Sequence, residues 1–323
     1  TWDLIVNHIG QGFLVEGNSW CEKYSITSGA DYLWLWIACV FRYPYEPLPY
    51  LFIWGDENCG KSILHEGLQL LFKHDIGYCR ADNALISTAG FNGELYGSIL
   101  NIVEEVNLQE QPKARERLKD WVTGKTIAIR AMHKQVFIIP NTTHWIQMAN
   151  SPTFCPIFPG DTRISVSQVE PPTKEIPKNQ LLASLREELP CLLHKLQRLV
   201  IPETESRLRI PVLNSAMKES IAEVNRGVFS VFLEDKCSYI PGYVISLEEA
   251  FNSFLASVDP SERFKWTNRK FSGMLPLNKF PKGRWGMGGL SHIGNLKIEG
   301  VDCKQITTKK MIRTMDGKLQ EGT

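Results

Sequence analysis

Residues 55–62 constrain this chain more than any other segment, because their sequence GDENCGKS fits the pattern G-x-x-x-x-G-K-[ST]. Glycine at 55 and 60 lets the backbone turn where a Cβ would clash. The loop amides can then form a concavity for an anion at the start of a helix. An apolar run at 51–54 precedes the loop, and helical spacing continues from 62 to 74. Strand, loop and helix in this order predict a phosphate-binding loop.

The side chains of the loop match the same chemistry. Lys61 supplies a point charge for the β- and γ-phosphates of a nucleotide, and the Ser62 hydroxyl is a hard oxygen ligand for Mg²⁺. ATP and Mg²⁺ are therefore the expected cofactors. The alternative is a chance match in a glycine-containing turn. The residues expected to contact the nucleotide are Gly55, Asp56, Glu57, Asn58, Cys59, Gly60, Lys61 and Ser62.

Composition excludes several classes of protein. With 43% hydrophobic and 22% charged residues, the 323-residue chain has enough apolar content for a sizeable core and too much for disorder. The longest apolar stretch, 32–41, is too short to span a bilayer, and no signal peptide pattern is present. None of the eight cysteines forms C-x-x-C, so we expect free thiols, mostly in the core, rather than a zinc ribbon or redox pair. These features favour the cytoplasm, that of a bacterial host if the gene belongs to a phage or plasmid.

The chain is long enough for two domains, and its patterning suggests four regions. A helical N-terminal region covers 1–48, and an α/β nucleotide-binding core covers 49–175. A helical segment follows at 176–240, with a helical stretch expected at 179–200 and a second helical region at 214–235. A separate domain is expected at 241–323. Because the sequence begins with Thr1 rather than Met, we expect it to be part of a longer protein.

A second acidic site is expected where the segment 98–105, a buried-strand pattern, ends in Glu104 and Glu105. Glu104 would orient Mg²⁺, and Glu105 would polarise the attacking water. The alternative is a strand that ends in solvated charges. The position of Glu104 and Glu105, about forty residues after a phosphate-binding loop, favours the functional interpretation.

Two further polar residues follow strand-like runs. Asn150 comes directly after the run 145–149 and could hold the attacking water or the γ-phosphate; the alternative is a turn-forming Asn before Ser-Pro. Arg163 lies in the segment 160–164, and an arginine suits bidentate contact with a phosphate. Supplied to the site of a neighbouring subunit, it would act as an arginine finger. The alternative for Arg163 is a surface ion pair with Asp161.

Two β-prone runs flank residues 130–135, which predicts a hairpin with a basic tip. Arg130, His133 and Lys134 would then contact a phosphate backbone. The alternative is an ordinary solvated hairpin.

Taken in order, these segments resemble the motifs of superfamily 3 helicases. The closer similarity is to the helicase domains of phage and mobile-element primase-helicases, a group related to the poxvirus primase-helicase. Walker A is 55–62, Walker B is 99–105, the B′ segment is 119–137, and motif C with sensor 1 is 145–150. The resemblance covers roughly 20–240 and extends to the C-terminal region.

The stretch 124–150 is also similar to the papillomavirus and polyomavirus helicases, whose pre-sensor hairpin carries a Lys-His pair that grips single-stranded DNA. His133 matches that His, Met132 stands where the family has Lys, and Lys134 follows. Glu104 stands where the family usually has Asp, and Arg163 is a single arginine where many relatives have a pair.

The resemblance implies an AAA+-like P-loop NTPase fold and a ring, usually a hexamer, with ATP bound between subunits. It further implies that Arg163 completes the neighbour's site. Translocation on single-stranded DNA, usually 3′→5′, would unwind forked duplex DNA during replication. The resemblance is compatible with a primase or polymerase domain before Thr1 and does not decide whether there is one.

The C-terminal region carries thirteen Lys and Arg against four Asp and Glu between 261 and 318. Helices expected at 247–258 and 267–275, with Thr267 as cap, followed by short strands at 283–298, suit a winged-helix-like domain. Arg269 and Lys270 on the second helix suit DNA binding. The alternatives are a solvated basic surface or subunit contacts.

Two other functions fit the same motifs. One is an ATP-dependent initiator that binds or melts an origin without processive unwinding. The other is a DNA-binding module whose ATP site controls assembly. DNA-stimulated ATPase without strand displacement would favour the initiator, and oligomerisation without turnover would favour the module.

Overall fold

The computed structural model describes residues 1–72, 76–286 and 290–322. The chain divides into two compact units, Thr1–Asn225 and Arg226–Thr323. The division lies earlier than the expected residue 241, because the helix after it contributes Phe229 and Phe232 to the core of the second unit. The last residues of the helix expected at 62–74, and residues 287–289 of the expected strand region, lie outside the described residues.

The first unit contains these helices: α1 (Trp2–Gly10), α2 (Ser19–Lys23), α3 (Gly29–Arg42), α4 (Ser62–Gln69), α5 (Asp82–Ile86), α6 (Pro112–Trp121), α7 (Lys178–Glu187), α8 (Leu189–Arg198) and α9 (Ala216–Val224). Its strands are β1 (Tyr50–Trp54), β2 (Tyr78–Arg80), β3 (Leu100–Glu104), β4 (Thr126–Ile129), β5 (Phe137–Pro140), β6 (His144–Ala149) and β7 (Ile164–Gln168). Short 3₁₀ turns occur at Gly93–Leu95 and Pro152–Phe154.

A parallel sheet of five strands, in the order β2-β3-β6-β1-β7, forms the middle of the first unit. β1 is buried on both faces, as its continuous apolar run predicts. Leu51 and Ile53 join the cluster that contains α1, α3 and α4, whereas Tyr50 and Phe52 join the cluster under α6. The sheet therefore separates two helical layers, and the α/β class expected from the sequence is confirmed.

The N-terminal helices hold β1 and its loop in place. Ser28 and Asp31 form a capping box at the start of α3. The indole of Trp36 donates to the Pro49 carbonyl at 2.8 Å, which ties α3 to the residue before β1. α3 is buried almost all round because it lies inside the helical layer.

The helical stretch expected at 179–200 consists of two helices, α7 and α8, joined at Glu188. Pro190 explains the break, because proline lacks an amide donor and is tolerated only in the first turn of a helix. The helical stretch expected at 214–235 is likewise divided. α9 ends the first unit at Asn225, and the helix that follows belongs to the second.

The second unit contains α10 (Val228–Asp235), β8 (Cys237–Ser246), α11 (Leu247–Ser257), α12 (Asn268–Met274), β9 (Lys282–Arg284), β10 (Ser291–Ile298), β11 (Lys304–Gln305), β12 (Met311–Arg313) and β13 (Leu319–Glu321), with a 3₁₀ helix at Pro260–Lys265. An antiparallel sheet has the order β11-β8-β10-β9, and β12 and β13 form a separate hairpin. The Thr267 hydroxyl accepts from the Lys270 amide at 3.2 Å, so Thr267 caps α12 as predicted.

All eight cysteines are free, as predicted, but only half of them, rather than most, are buried. Four of them, Cys21, Cys39, Cys59 and Cys155, are buried. Within the described ranges, no helix has the length and apolar content needed to cross a membrane.

Candidate nucleotide-binding site

The segment 55–62 forms the turn between β1 and α4 that the glycine spacing predicts. A Cβ on residue 55 would lie 2.3 Å from the Val169 carbonyl oxygen, so only glycine fits there. Gly60 adopts φ +86°, in the left-handed region that glycine occupies without strain. His8 Nε2 lies 2.8 Å from the Cys59 carbonyl oxygen, which anchors the loop to α1. The loop is thus held from both sides of its backbone.

Lys61 is buried at the centre of this loop, with 6% of its surface exposed. Its ammonium group donates to the carbonyls of Gly55 at 2.7 Å and Asp56 at 2.8 Å, and to Asn150 Oδ1 at 3.0 Å. The amides of Gly60 and Lys61 donate to no group within the described residues. A buried cation beside unused amides matches the donor set that an anionic phosphate requires.

Glu104 ends β3 in a network of polar side chains. His65 Nε2 lies 2.7 Å from Glu104 Oε1, and Arg80 Nη1 lies 2.5 Å from Oε2. A carboxylate only accepts, so Nε2 carries the proton. The other ring nitrogen, Nδ1, lies 2.8 Å from the Tyr78 hydroxyl. The Glu104 amide donates to Asp82 Oδ1 at 3.0 Å, which fixes the end of the strand.

This network keeps the Glu104 carboxylate charged. The hydrogen bond from His65 is the main cause that lowers the pKa of Glu104; burial opposes it, and the charge of Arg80 and the Ser62 hydroxyl lower the pKa further. The Ser62 and Glu104 oxygens therefore meet at one place, as a magnesium site requires. Arg80 is half-exposed and would compete with a divalent cation for Glu104.

No cluster of three or more His, Cys, Asp and Glu side chains that could hold a metal occurs in the described part of the chain. The Ser62 and Glu104 pair would therefore hold Mg²⁺ together with phosphate oxygens and water, which is how this ion usually binds. The residues present fit that arrangement.

Glu105, the next residue, has an unusual backbone. Its φ is +53°, although residues with a Cβ rarely adopt this conformation. The Glu105 amide donates to the Met148 carbonyl at 2.9 Å, and its side chain is exposed. Strained backbone of this kind is concentrated at functional sites. The strain turns Glu105 out of the sheet, at the carboxyl edge where the loop and Asn150 also lie.

Arg163 lies at the other edge of the sheet. Its carbonyl accepts from the amide of Tyr50, the first residue of β1, whereas the loop follows the last residue, Trp54. The rise of a strand separates these two points by about 13 Å. Arg163 is therefore not brought together with Lys61 or Glu104 of its own chain.

The expected alternative for Arg163, an ion pair with Asp161, is not what the structure contains. Asp161 Oδ1 accepts from the amides of Arg163 and Ile164 and lies 3.7 Å from Lys218 Nζ. Arg163 Nε is buried without a hydrogen-bond partner in the described residues. Arg163 and Arg115 line the same cavity of about 150 Å³. Two arginines thus share this edge, although the sequence suggested one.

The predicted hairpin is confirmed as β4 and β5, paired from Thr126 with Pro140 to Ile129 with Phe137. Arg130, His133 and Lys134 lie at its exposed end. Arg130 is held by Asn92, whose side chain accepts from its amide at 2.7 Å, and its guanidinium lies 5.3 Å from the Phe91 ring. The three basic residues are therefore together and accessible.

Arg269 and Lys270 lie on α12 in the second unit, and both are exposed. Lys270 Nζ lies 4.3 Å from the centroid of the Trp266 ring. These residues are positioned by a different compact unit from the one that carries the loop and the hairpin.

Sequence reasoning missed the polar side chains that surround the predicted ones: His8, His65, Tyr78, Arg80, Asp82 and Arg115. His65 was recognisable, because it stands three residues after Ser62 and so follows it by nearly one helical turn. The others carry no local signal, since only tertiary packing brings them to the site.

The fold and site define an α/β protein with a glycine-containing turn, a buried lysine and a carboxylate at the carboxyl edge of a parallel sheet. Residues 53–163 match a family of unknown function (DUF5906), less than half of the chain. The DNA primase-polymerase of Nitratiruptor phage NrS-1 is 26% identical over 143 residues. That match covers 43% of this chain and 20% of the relative, so the chain spans about a fifth of that protein.

Solved structures extend the likeness to most of the chain. The apo C-terminal region of NrS-1 has a TM-score of 0.56 at 17% identity, over 83% of this chain and 62% of that one. A second apo structure of this region, the A form, has a TM-score of 0.55 at 18% identity, over 84% of this chain and 61% of that one. At such identity the likeness is one of fold.

Proposed function

We propose that the chain is an ATP-dependent DNA helicase module of the superfamily 3 kind that acts in DNA replication. One observation carries the proposal: Lys61 Nζ lies 3.0 Å from Asn150 Oδ1, at the sheet edge where Ser62 also meets Glu104. A buried lysine, a strand-end amide, a hydroxyl and a carboxylate at one edge are what nucleotide hydrolysis needs.

Each residue has a distinct task in this proposal. MgATP would supply the reactive phosphoanhydride and a divalent charge. Lys61 offsets the negative charge of the phosphates, and Ser62 and Glu104 hold the ion. Glu105 polarises the attacking water from a strained backbone position, and Asn150 orients that water or the γ-phosphate. His65 keeps the Glu104 carboxylate oriented and ionised.

Assembly into a ring completes the site. Arg163 cannot reach the loop of its own chain across the length of β1, but a neighbouring copy could receive it. Arg163 is only partly buried and lines a cavity with Arg115, so part of its side chain is accessible from outside this chain. The proposal therefore assigns Arg163 to the nucleotide of the next subunit in a ring homo-oligomer, with a hexamer expected from the resemblance.

The topology supports the same assignment. The strand order β2-β3-β6-β1-β7, with the β4–β5 hairpin inserted between β3 and β6, agrees with an AAA+-like core that carries a pre-sensor hairpin. In the second unit the order begins with helix, strand, two helices and two strands, before β11 and the β12–β13 hairpin, and β10 lies between β8 and β9. This order agrees with a winged-helix-like unit.

DNA is the proposed polymer for two reasons. A relative that matches part of the chain is a DNA primase-polymerase. Exposed basic side chains also lie on the hairpin, at Arg130, His133 and Lys134, and on α12, at Arg269 and Lys270. Side chains of this kind bind the phosphate backbone without regard to sequence.

The test is strand displacement from a forked duplex with ATP, beside ATPase assays with and without single-stranded DNA. The unaltered protein should displace the strand, and Lys61→Ala should not. DNA-stimulated hydrolysis without displacement would instead support an initiator that melts DNA. Nucleotide-dependent oligomers without turnover would support a DNA-binding module whose ATP site controls assembly.

A further inference from the structure

A second candidate site lies in the unit Arg226–Thr323, on the strands that follow α12. It is an open cavity of about 410 Å³ between the β9–β10 strands and the β12–β13 hairpin. The Arg284 amide donates to the Gly317 carbonyl at 2.9 Å, which brings the hairpin against β9. A Cβ on residue 283 would lie 2.9 Å from the same carbonyl oxygen, so glycine is needed for this close approach. The cavity is thus a built feature of the unit.

Three cationic side chains line this cavity: Lys282, Arg284 and Arg313. Arg284 donates to the backbone carbonyl of Asp316 at 3.0 Å, and Lys282 donates to the Ser272 hydroxyl at 3.1 Å. None of the three forms an ion pair with a carboxylate among the described residues. Elsewhere in the same unit, Lys236 pairs with Glu299 at 3.2 Å.

The one carboxylate in the cavity does not neutralise these cations. Asp316 pairs with Lys318 at 3.2 Å, and its Oδ1 accepts from the Thr314 hydroxyl. Those bonds lower the pKa of Asp316, first through Thr314 and then through Lys318, so its charge is already matched by Lys318. The lining therefore keeps an excess of positive charge, which attracts an anion.

We propose that this cavity binds the phosphodiester backbone of DNA, as a contact separate from Arg269 and Lys270. Its volume exceeds that of a single phosphate group, and its open form suits a polymer that passes through it. Arg284 and Arg313 provide planar donors for phosphate oxygens, and Lys282 provides a point charge. Met315 is fully exposed beside them and offers an apolar surface to a sugar or base. The choice of DNA as the polymer rests on the proposed function.

The experiment measures the affinity of the full chain for duplex and single-stranded oligonucleotides as a function of salt, without nucleotide. The double variant Arg284→Gln, Arg313→Gln removes two cations, and both residues are exposed. The magnitude of the salt slope should fall by about 1.8 on duplex DNA, or about 1.4 on a single strand. The matched control, Lys236→Gln with Lys297→Gln, removes the same charge outside the cavity and should change the slope much less.

A charge-preserving variant, Arg284→Lys with Arg313→Lys, should restore most of the slope, and thermal unfolding should be alike for all variants that fold. Slopes equal in the double variant and the control would overturn the proposal. So would saturable binding of inorganic phosphate that depends on Arg313 while DNA binding does not, because the cavity would then take a small anion. If ATP hydrolysis is absent but the slope changes as stated, only the helicase proposal fails.

Discussion

Lys61 Nζ and Asn150 Oδ1 are 3.0 Å apart, although 88 residues separate them in the chain. β1 and β6 are neighbours in the parallel sheet, so their carboxyl ends bring the two side chains together. Without a phosphate, the lysine is satisfied by Asn150 and two loop carbonyls. A nucleotide would exchange these neutral acceptors for charged ones.

Lys61→Ala should therefore reduce ATP hydrolysis at least about 100-fold, because it removes a charge that stabilises the transition state. Asn150→Ala should reduce hydrolysis by a similar factor while nucleotide binding persists. Steady-state ATPase and fluorescent nucleotide binding measure the two effects. Normal ATP turnover in Lys61→Ala would contradict the assignment of residues 55–62 as a phosphate-binding loop.

Glu105→Gln should bind ATP and fail to hydrolyse it, because an amide cannot polarise water as a carboxylate does. Glu105→Gly should also lose hydrolysis, yet gain up to about 1 kcal/mol of stability, since glycine adopts φ +53° without strain. Denaturant unfolding and ATPase assays of both variants test this pair of effects. If Glu104→Gln is inactive and Glu105→Gln is active, the assigned roles of the two carboxylates are wrong.

Arg163→Ala should act on the neighbouring subunit. Mixed with Lys61→Ala protein, it should recover part of the ATPase activity, because some interfaces then combine an intact loop with an intact arginine. Hydrolysis measured over a range of mixing ratios reports this recovery. Mixed rings that form and stay inactive would count against the arginine finger.

Replacing both tip residues, His133→Ala with Lys134→Ala, should weaken single-stranded DNA binding and unwinding and leave basal ATPase near normal. The salt slope should fall by about 0.7 for each lost phosphate contact on a single strand. Salt-dependent anisotropy provides the measurement. An unchanged slope would place the hairpin outside the DNA path and leave Arg269 and Lys270 as the main contact.

Because His144 is buried, we expect the stability of the fold to depend on pH in the acidic range. Burial lowers the pKa of this residue from 6.5 to about 4, against a small opposing effect of the Pro44 backbone. The unfolded chain therefore binds a proton between these values that the folded chain does not, and stability falls as pH drops through that window. The full effect is on the order of 3 kcal/mol.

Denaturant unfolding between pH 7 and pH 4 measures that loss. His144→Gln should flatten the curve in this range if the variant folds. His194→Gln is the matched control, because His194 is exposed. A pH dependence unchanged in His144→Gln would contradict the assignment.

Local sequence patterns predicted the loop, the hairpin and the α/β class, because each depends on neighbouring residues. Glycine at 60 and the apolar run at 51–54 fix the turn and the strand within a few positions. The break at Glu188 was also encoded locally, by Pro190, but the leucine periodicity on both sides outweighed that signal. A pattern that continues across a proline is therefore weak evidence for one helix.

The surroundings of the site could not be predicted in the same way. Arg80 contacts Glu104 only because β2 pairs with β3, and His8 contacts Cys59 only because α1 packs on α4. The boundary at Asn225 likewise depends on packing. Asn225 donates to the carbonyls of Cys155 and Ile157, whereas the next helix turns its phenylalanines into another core.

The strand β1 is followed by the loop at its carboxyl end, and at its other end the Tyr50 amide donates a hydrogen bond to the Arg163 carbonyl. In the proposed ring, those two ends face two successive nucleotides. This five-residue strand is paired on both sides, with β6 and β7, in a packed sheet, so it is stiff and would act as a fixed spacer between adjacent interfaces. When a bound nucleotide displaces the loop, β1 would carry that displacement to Arg163, which contacts the nucleotide of the next subunit. Signals could then travel around the ring without any hinge inside the subunit.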